Sequence, residues 1–201
     1  MDKLDLTKSD KIYYGARKKP ELITLPDLPY LQITGFGAPE SESFKAAIEA
    51  MYTAAYSIKA LCKQAGQDFT VAKLEGQWWV EDMSLDPLET PRELWQWTLL
   101  IRQPDYVTEA IAAEGLRIAV NKKPLIPVSS VSFGTLSEGT CVQMLHVGPF
   151  STEPETLAIM YAYIEQQGLA ISGKHHEIYL SDFRKTAAES LRTILRYPVA
   201  K

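Results

Sequence analysis

The segment KHHEIYLSD, residues 174–182, carries an imidazole, a carboxylate and a phenol at alternate positions: His175, Glu177 and Tyr179. Alternate residues of a strand share a face. These three would therefore stand in a row, with Ile178 and Leu180 on the opposite, apolar face. Such a row is either a solvated outer face or the lining of a cleft. In a cleft among aromatic rings the Glu177 carboxylate would be poorly solvated and its pKa would tend upward. That group can take a proton from water as a general base, or serve as counter-charge to a bound cation. Tyr179 would add an O–H donor for an oxygen that gains charge.

Four tryptophans fall on two neighbouring apolar runs, LEGQWWVED (74–82) and LWQWTLLIR (94–102). On a strand Trp79 shares a face with Glu75, Gln77 and Glu81, and Trp95 shares one with Trp97. Paired as a hairpin, the runs would make an aromatic wall. Large rings of this kind are either core or flat surfaces on which a planar ligand or a cation stacks. Trp79, Trp95 and Trp97 are therefore candidate ligand-binding residues, with Trp78 their neighbour. His146, in MLHVGP, is either a hydrogen-bonded core histidine or a cleft residue. Tyr52 and Tyr56, four apart on a helix, are either a surface pair or a cleft lining.

Metal chemistry is not expected. His175 and His176 are adjacent and would point to opposite faces, and no second His or Cys stands at ligand spacing. There is no glycine-rich nucleotide loop, and no cofactor is expected. The charge balance of 21 Lys and Arg against 25 Asp and Glu, net −4, lacks the basic face that grips nucleic acid. No apolar run approaches the roughly 18 residues of a membrane span. The start MDKLDLTKSDK has no apolar export region. Cys62 and Cys141 read as buried thiols of a reducing compartment, and a cytoplasmic protein is expected.

The elements that must position these residues follow from periodicity. Residues 1–20 read as a polar N-terminal arm, loose over its first dozen residues. Residues 21–201 read as one domain. Leu31 to Gly37 is a strand, ended by Gly35, Gly37 and Pro39. Ser41 to Ser43 can cap a helix reaching about Ala65, with Phe44, Ile48, Met51, Ala55, Ile58 and Cys62 on one face and Gly66 as the stop. Phe69 to Val80 and Leu94 to Arg102 are strands. A helix opening at Pro104-Asp105 would turn Val107, Ala110 and Ile111 inward. The order then recurs: a strand over Thr140 to Phe150, a helix burying Leu157, Met160 and Ile164 and stopped by Gly168, and two short strands in HHEIYLSD and TILRYPV. YLQITGFG and CVQMLHVG align, with Gln32 opposite Gln143 and Gly37 opposite Gly148. The expected fold is α+β: duplicated βαββ units, about 21–125 and 126–201, related by a pseudo-twofold axis. An antiparallel sheet would carry helices on one face, with a ligand cleft at the centre.

The motifs LEGQWW, WQWTLLIRQPDYVTEA, EGTCVQMLHVGPFSTEPET, HHEIYLSDFRKT and LRTILRYPV together resemble the GyrI-like small-molecule-binding family, from about Tyr14 to the end. The resemblance implies a duplicated βαββ fold. It implies relatives of three kinds: effector domains of multidrug-sensing regulators, a stand-alone gyrase inhibitor, and stand-alone hydrolases that open the cyclopropane of DNA-alkylating natural products. The LEGxWW and HHEIYLSD blocks are most similar to the last group. By the same resemblance the central pocket acid falls on Glu177, followed by Tyr179. Trp79 and Trp97 match the second tryptophans of the WW and WxW blocks. The chain departs from the family in SDFRKTAAES, where Phe183, Ala187 and Ala188 replace prolines, which bears on substrate shape. No helix-turn-helix segment is read ahead of the domain in this sequence, so a regulator of that type is not expected. The implied partner is a small hydrophobic aromatic ligand, either hydrolysed or, as a cationic compound, only bound. A topoisomerase contact through the acids around Glu81, Asp82 and Glu89 is a third reading.

Overall fold

The computed structural model describes residues 3–81, 90–124 and 126–201. Asp82 and Glu89 of the acidic stretch lie outside the described residues. The chain forms two compact units. The first comprises residues 1–9 and 28–136, the second 10–27 and 137–201. The switch falls near 137, about a dozen residues beyond the boundary read from the repeat.

In the first unit, β2 (Leu28–Phe36), β3 (Leu74–Val80), β4 (Trp95–Arg102) and β5 (Ser132–Leu136) form antiparallel pairs in the order β3-β4-β2-β5. Helix α3 (Glu42–Gln64) starts at Ser41, whose hydroxyl accepts from the Phe44 N–H at 3.2 Å. It ends before Gly66, which adopts φ +82°. All six residues of its anticipated apolar face are buried. Helix α4 (Glu109–Lys122) is capped by Thr108 rather than opened at Pro104. Its buried face is Ala112, Gly115 and Ala119; of the residues expected inward, Val107 just before the helix is buried and Ile111 half-buried, while Ala110 is exposed. A Cβ at Gly115 would lie 2.3 Å from Cγ1 of Ile58, so small residues let α4 pack against α3.

The second unit contains β6 (Thr140–Val147), α5 (Glu153–Gln166), β8 (His175–Tyr179) and β9 (Arg192–Ala200). A strand absent from the sequence reading, β1 (Glu21–Thr24), completes the order β1-β6-β9-β8, and the two-residue β7 (Ala170–Ile171) pairs with β9. Leu157, Met160 and Ile164 of α5 close a core with Val142, Met144, Leu195 and Val199. Residues expected as a loose arm are instead tied down. Short helices α1 (Leu6–Ser9) and α2 (Lys11–Tyr14) form there, and Tyr13 and Tyr14 are buried. Cys62 and Cys141 are free and buried. No helix among the described residues is long and apolar enough to cross a membrane.

Candidate functional site

Strand β8 places His175 and Glu177 on the sheet face that α5 covers, since Glu177 stands opposite Leu195, and Leu195 opposite Met144, both in the α5 core. His175 Nε2 lies 3.1 Å from Glu177 Oε1, and both side chains are only 12–13 % exposed. The His175 ring packs against Tyr197 at 4.9 Å between centroids, and the Tyr197 and Tyr161 hydroxyls are 3.0 Å apart. Burial above all, then Tyr161 and Glu177, pushes the Tyr197 phenol well above its usual range.

A third member was not foreseen. Glu153, the first residue of α5, is 7 % exposed, and its ligand atom lies within 4.8 Å of those of His175 and Glu177. Its Oε1 has no hydrogen-bond partner among the described residues. Burial first, and the Glu177 charge second, push its carboxyl well above the usual value. A helix N-terminus favours the ionised form, but desolvation outweighs that here. The signal was present in the sequence: Glu153, Leu157, Met160 and Ile164 follow one another at spacings of four, three and four, so the acid occupies the first position of the buried stripe. Glu153 lies 22 positions before His175, so no ligand spacing in the sequence links them. Glu153, His175 and Glu177 form a donor set of the kind that binds a divalent cation.

Tyr179 lies farther along the same strand face and is 6 % exposed. Phe150 and Phe183 meet its ring edge-on at 6.0 and 5.6 Å, and each other at 6.1 Å. Phe183, one of the departures from the family pattern, is thus part of the wall around Tyr179. The loop carrying it is held by Asp182, which accepts from the Arg184 guanidinium at 2.9 and 3.1 Å.

The opposite face of β8 is not the plain apolar core expected from Ile178 and Leu180. His176 there is fully buried and donates from Nδ1 to Glu138 at 2.9 Å. Arg196 Nη1 lies 3.6 Å from the same carboxylate. The guanidinium also donates to Gln143 Oε1 at 2.9 and 3.2 Å and to the Tyr13 carbonyl at 2.8 Å, and it sits 4.3 Å over the Tyr13 ring. Burial alone would raise the Glu138 carboxyl, but His176 and Arg196 together hold it below the usual value. Burial and the nearby Glu138 push the Cys141 thiol up to about 12. A period-two reading assigns faces correctly but cannot see that Glu138 and Arg196, from elsewhere in the chain, complete His176.

His146 has both ring nitrogens engaged. Nε2 is 3.1 Å from the Pro149 carbonyl, which can only accept, so Nε2 carries the proton and Nδ1 accepts from Thr156 at 2.9 Å. A cleft of about 260 Å³ beside it is lined by residues that include Lys18, Thr152 and Glu155. His146 itself lines this cleft, and Glu177 does not.

In the first unit the register separates the tryptophans. Trp78 stands opposite Trp97 and Val80 opposite Trp95, so Trp78, Trp95 and Trp97 share one face, and Trp79, opposite Gln96, points to the other. Phe44 of α3 meets Trp78 at 5.4 Å and Trp97 at 5.1 Å, which identifies that face as the helix side. The anticipated wall therefore consists of Trp78, Trp95 and Trp97, without Trp79. Trp97 is 3 % exposed, and its indole N–H has no partner among the described residues. Trp95 donates from Nε1 to the Thr90 carbonyl at 3.2 Å. Trp79 is half-buried. Tyr52 is half-buried with its ring 6.4 Å from that of the exposed Tyr56. The tryptophans and Tyr52 thus belong to the first unit, and Glu177, Tyr179 and His146 to the second.

Residues 18–200 match a family profile described as a GyrI-like small-molecule-binding domain. No curated protein matches the chain. Among solved structures, an uncharacterized conserved protein from Listeria innocua is 41 % identical, with a TM-score of 0.91 over 98 % of this chain and all of that one. A hydrolase from Listeria innocua is 40 % identical, with a TM-score of 0.89 over 99 % of this chain and all of that one. The C-terminal domain of EcmrR, 11 % identical with a TM-score of 0.54 over 91 % of this chain and 98 % of that one, shares the fold.

Proposed function

Because the chain belongs to the GyrI-like small-molecule-binding family, we propose that it is a hydrolase of planar hydrophobic small molecules, with Glu177 as its working acid. The substrate class is DNA-alkylating compounds that carry a cyclopropane fused to a dienone. The likeness to Listeria innocua hydrolases over the whole chain supports the reaction class. The observation that carries the site is the Glu177–His175 contact of 3.1 Å beneath an aromatic layer. In this mechanism Glu177 accepts a proton from water as the water oxygen bonds to the cyclopropane CH₂. The ring C–C bond breaks, and its electron pair moves through the dienone to the oxygen, which becomes a phenolate. Tyr179 donates a hydrogen bond to that oxygen as charge grows. The proton on Glu177 then returns to the product, so the sum is addition of one water. Ring strain leaves the protein to supply positioning and one proton transfer. Hydrolysis in the cytoplasm would spare DNA, a detoxification.

The test is incubation of the protein with many equivalents of a cyclopropane-fused dienone alkylator, followed by mass spectrometry. A gain of one water in most of the compound is the expected result. Glu177→Gln should lower turnover by about 10²–10⁴-fold, the usual contribution of a positioned base. A second reading, binding without turnover, is favoured by two carboxyls under tyrosine rings with no Lys or Arg ion pair among the described residues. It predicts unaltered compound in the complex and loss of cationic dyes alone in Glu177→Gln.

A further inference from the structure

We infer that Glu153, His175 and Glu177 form a binding site for one divalent transition-metal ion of the zinc class. All three residues belong to the second unit, so the site is complete within it. Strand β8 supplies two donors from alternate positions, His175 and Glu177, and the first residue of α5 supplies the third. One donor atom from each lies within 4.8 Å of the other two. His175 Nε2 and Glu177 Oε1 are 3.1 Å apart. Two donors each about 2.0–2.2 Å from a tetrahedral ion stand roughly 3.3–3.5 Å from one another, so this pair already has nearly the spacing of neighbouring ligands. Rotation of the long Glu153 side chain covers the remaining distance, about 1–1.5 Å at most.

Two acids near a histidine would not by themselves indicate an ion. The orphaned atoms among them do. Glu153 is 7 % exposed, and its Oε1 has no hydrogen-bond partner among the described residues. Nδ1 of His175 is also buried and without a partner. Folded proteins rarely leave such atoms unpaired. An ion where the three side chains converge gives the Glu153 oxygen a partner. It also balances two acids with which no Lys or Arg pairs among the described residues. Either imidazole nitrogen can serve: Nε2 already faces Glu177, and Nδ1 has no competing bond. The donor types select the ion. Magnesium and calcium take oxygen ligands, so an imidazole disfavours them. Zinc accepts imidazole nitrogen and carboxylate oxygen together, and three protein ligands leave it a fourth position for water. The inference goes beyond the hydrolase reading, and one consequence rests on that reading. A Glu177 carboxylate bound to the ion cannot accept a proton from water. The loaded form is then the resting form, and removal of the ion frees the working acid.

The experiment strips the protein with EDTA, dialyses it against zinc chloride and measures bound metal, in the wild type, Glu153→Gln and His175→Gln. The wild type should hold one equivalent of zinc, and zinc should raise its thermal midpoint. Zinc affinity should fall by at least about 10–100-fold in either variant, with no zinc-dependent midpoint left. Cobalt(II) added to the stripped wild type should give the d–d absorption of a four-coordinate site with nitrogen and oxygen ligands. That measurement decides without a variant, should one fail to fold. No zinc bound after reloading would overturn the site and leave the orphaned atoms to buried water. One equivalent still held tightly by a folded Glu153→Gln would overturn it as well. So would a thiolate charge-transfer band with cobalt, which would place the ion on Cys62 or Cys141. Dienone hydrolysis should fall on zinc loading and return with EDTA, and undiminished hydrolysis by the loaded protein would take the ion off Glu177 and overturn the assignment. Zinc bound as stated, with no hydrolysis by either form, leaves the site standing and removes the hydrolase reading.

Discussion

Gly35 and Trp97 are directly opposed across β2 and β4, and the indole lies so close over the glycine that a Cβ there would sit 2.3 Å from its Cη2 carbon. A glycine inside a strand often marks such an approach. Here it makes room for the ring that Phe44 meets edge-on from α3. Gly35→Ala should therefore destabilise the protein by about 1–3 kcal/mol through forced displacement of the indole. Trp97→Ala should cost about 3–5 kcal/mol. The two changes together should cost less than their sum, because the clash needs both partners. Urea unfolding of the two single variants and the double variant measures this. Additive losses would show that the ring is not pinned by the glycine.

Trp79 should behave differently. It is half-buried and on the other face from Trp97. If it stacks a ligand, Trp79→Ala should weaken binding of a planar compound by about 1–3 kcal/mol while leaving the unfolding midpoint far less changed than Trp97→Ala does. Calorimetric titration alongside thermal unfolding separates the two effects. Tight binding by the Trp79 variant would leave that indole without a ligand role.

Glu153 also sets a stability signature. Its carboxyl is raised in the folded state by burial and by Glu177. The unfolded chain therefore loses this proton at lower pH than the folded one does. The contribution is fully present below about 4.3, the unfolded value, and is lost as pH rises through the folded value. Glu153→Gln removes the titration, so the variant should hold its stability over the window in which the wild type declines. Denaturant midpoints across pH 4 to 9 compare the two chains, and parallel curves would refute the effect.

Glu138 gives the opposite slope. Despite burial, His176 and Arg196 hold its folded carboxyl below the unfolded value. Its contribution is present above the unfolded value and is lost as pH falls through the folded one. Glu138→Gln should destabilise by about 3–5 kcal/mol, because Arg196 and His176 would keep their burial without the carboxylate. The Tyr13 carbonyl is tied to the same guanidinium, so hydrogen exchange of the α2 amides should accelerate in this variant. Unaltered exchange at Tyr13 and Tyr14 would separate the N-terminal segment from the buried ion cluster.

Local pattern was enough to read much of the fold. The apolar stripe of α3 and its stops at Ser41 and Gly66 follow from a period of 3.6 and from capping chemistry, and the Leu157–Met160–Ile164 stripe of α5 follows likewise. The row His175, Glu177, Tyr179 follows from a period of two. These are short-range rules, and the sequence by itself determined them. Register is a long-range matter. Only pairing β3 with β4 residue by residue set Trp78 opposite Trp97 and turned Trp79 away. Only folding α5 onto β8 brought Glu153, 24 positions earlier in the chain, against Glu177. Only the return of β9 carried Arg196 to Glu138, and of residues 10–27 to Arg196. A charge buried by a distant segment leaves no periodic trace. Its cost and its compensation arise in three dimensions, so the tertiary structure alone decides which charges are buried and what offsets them.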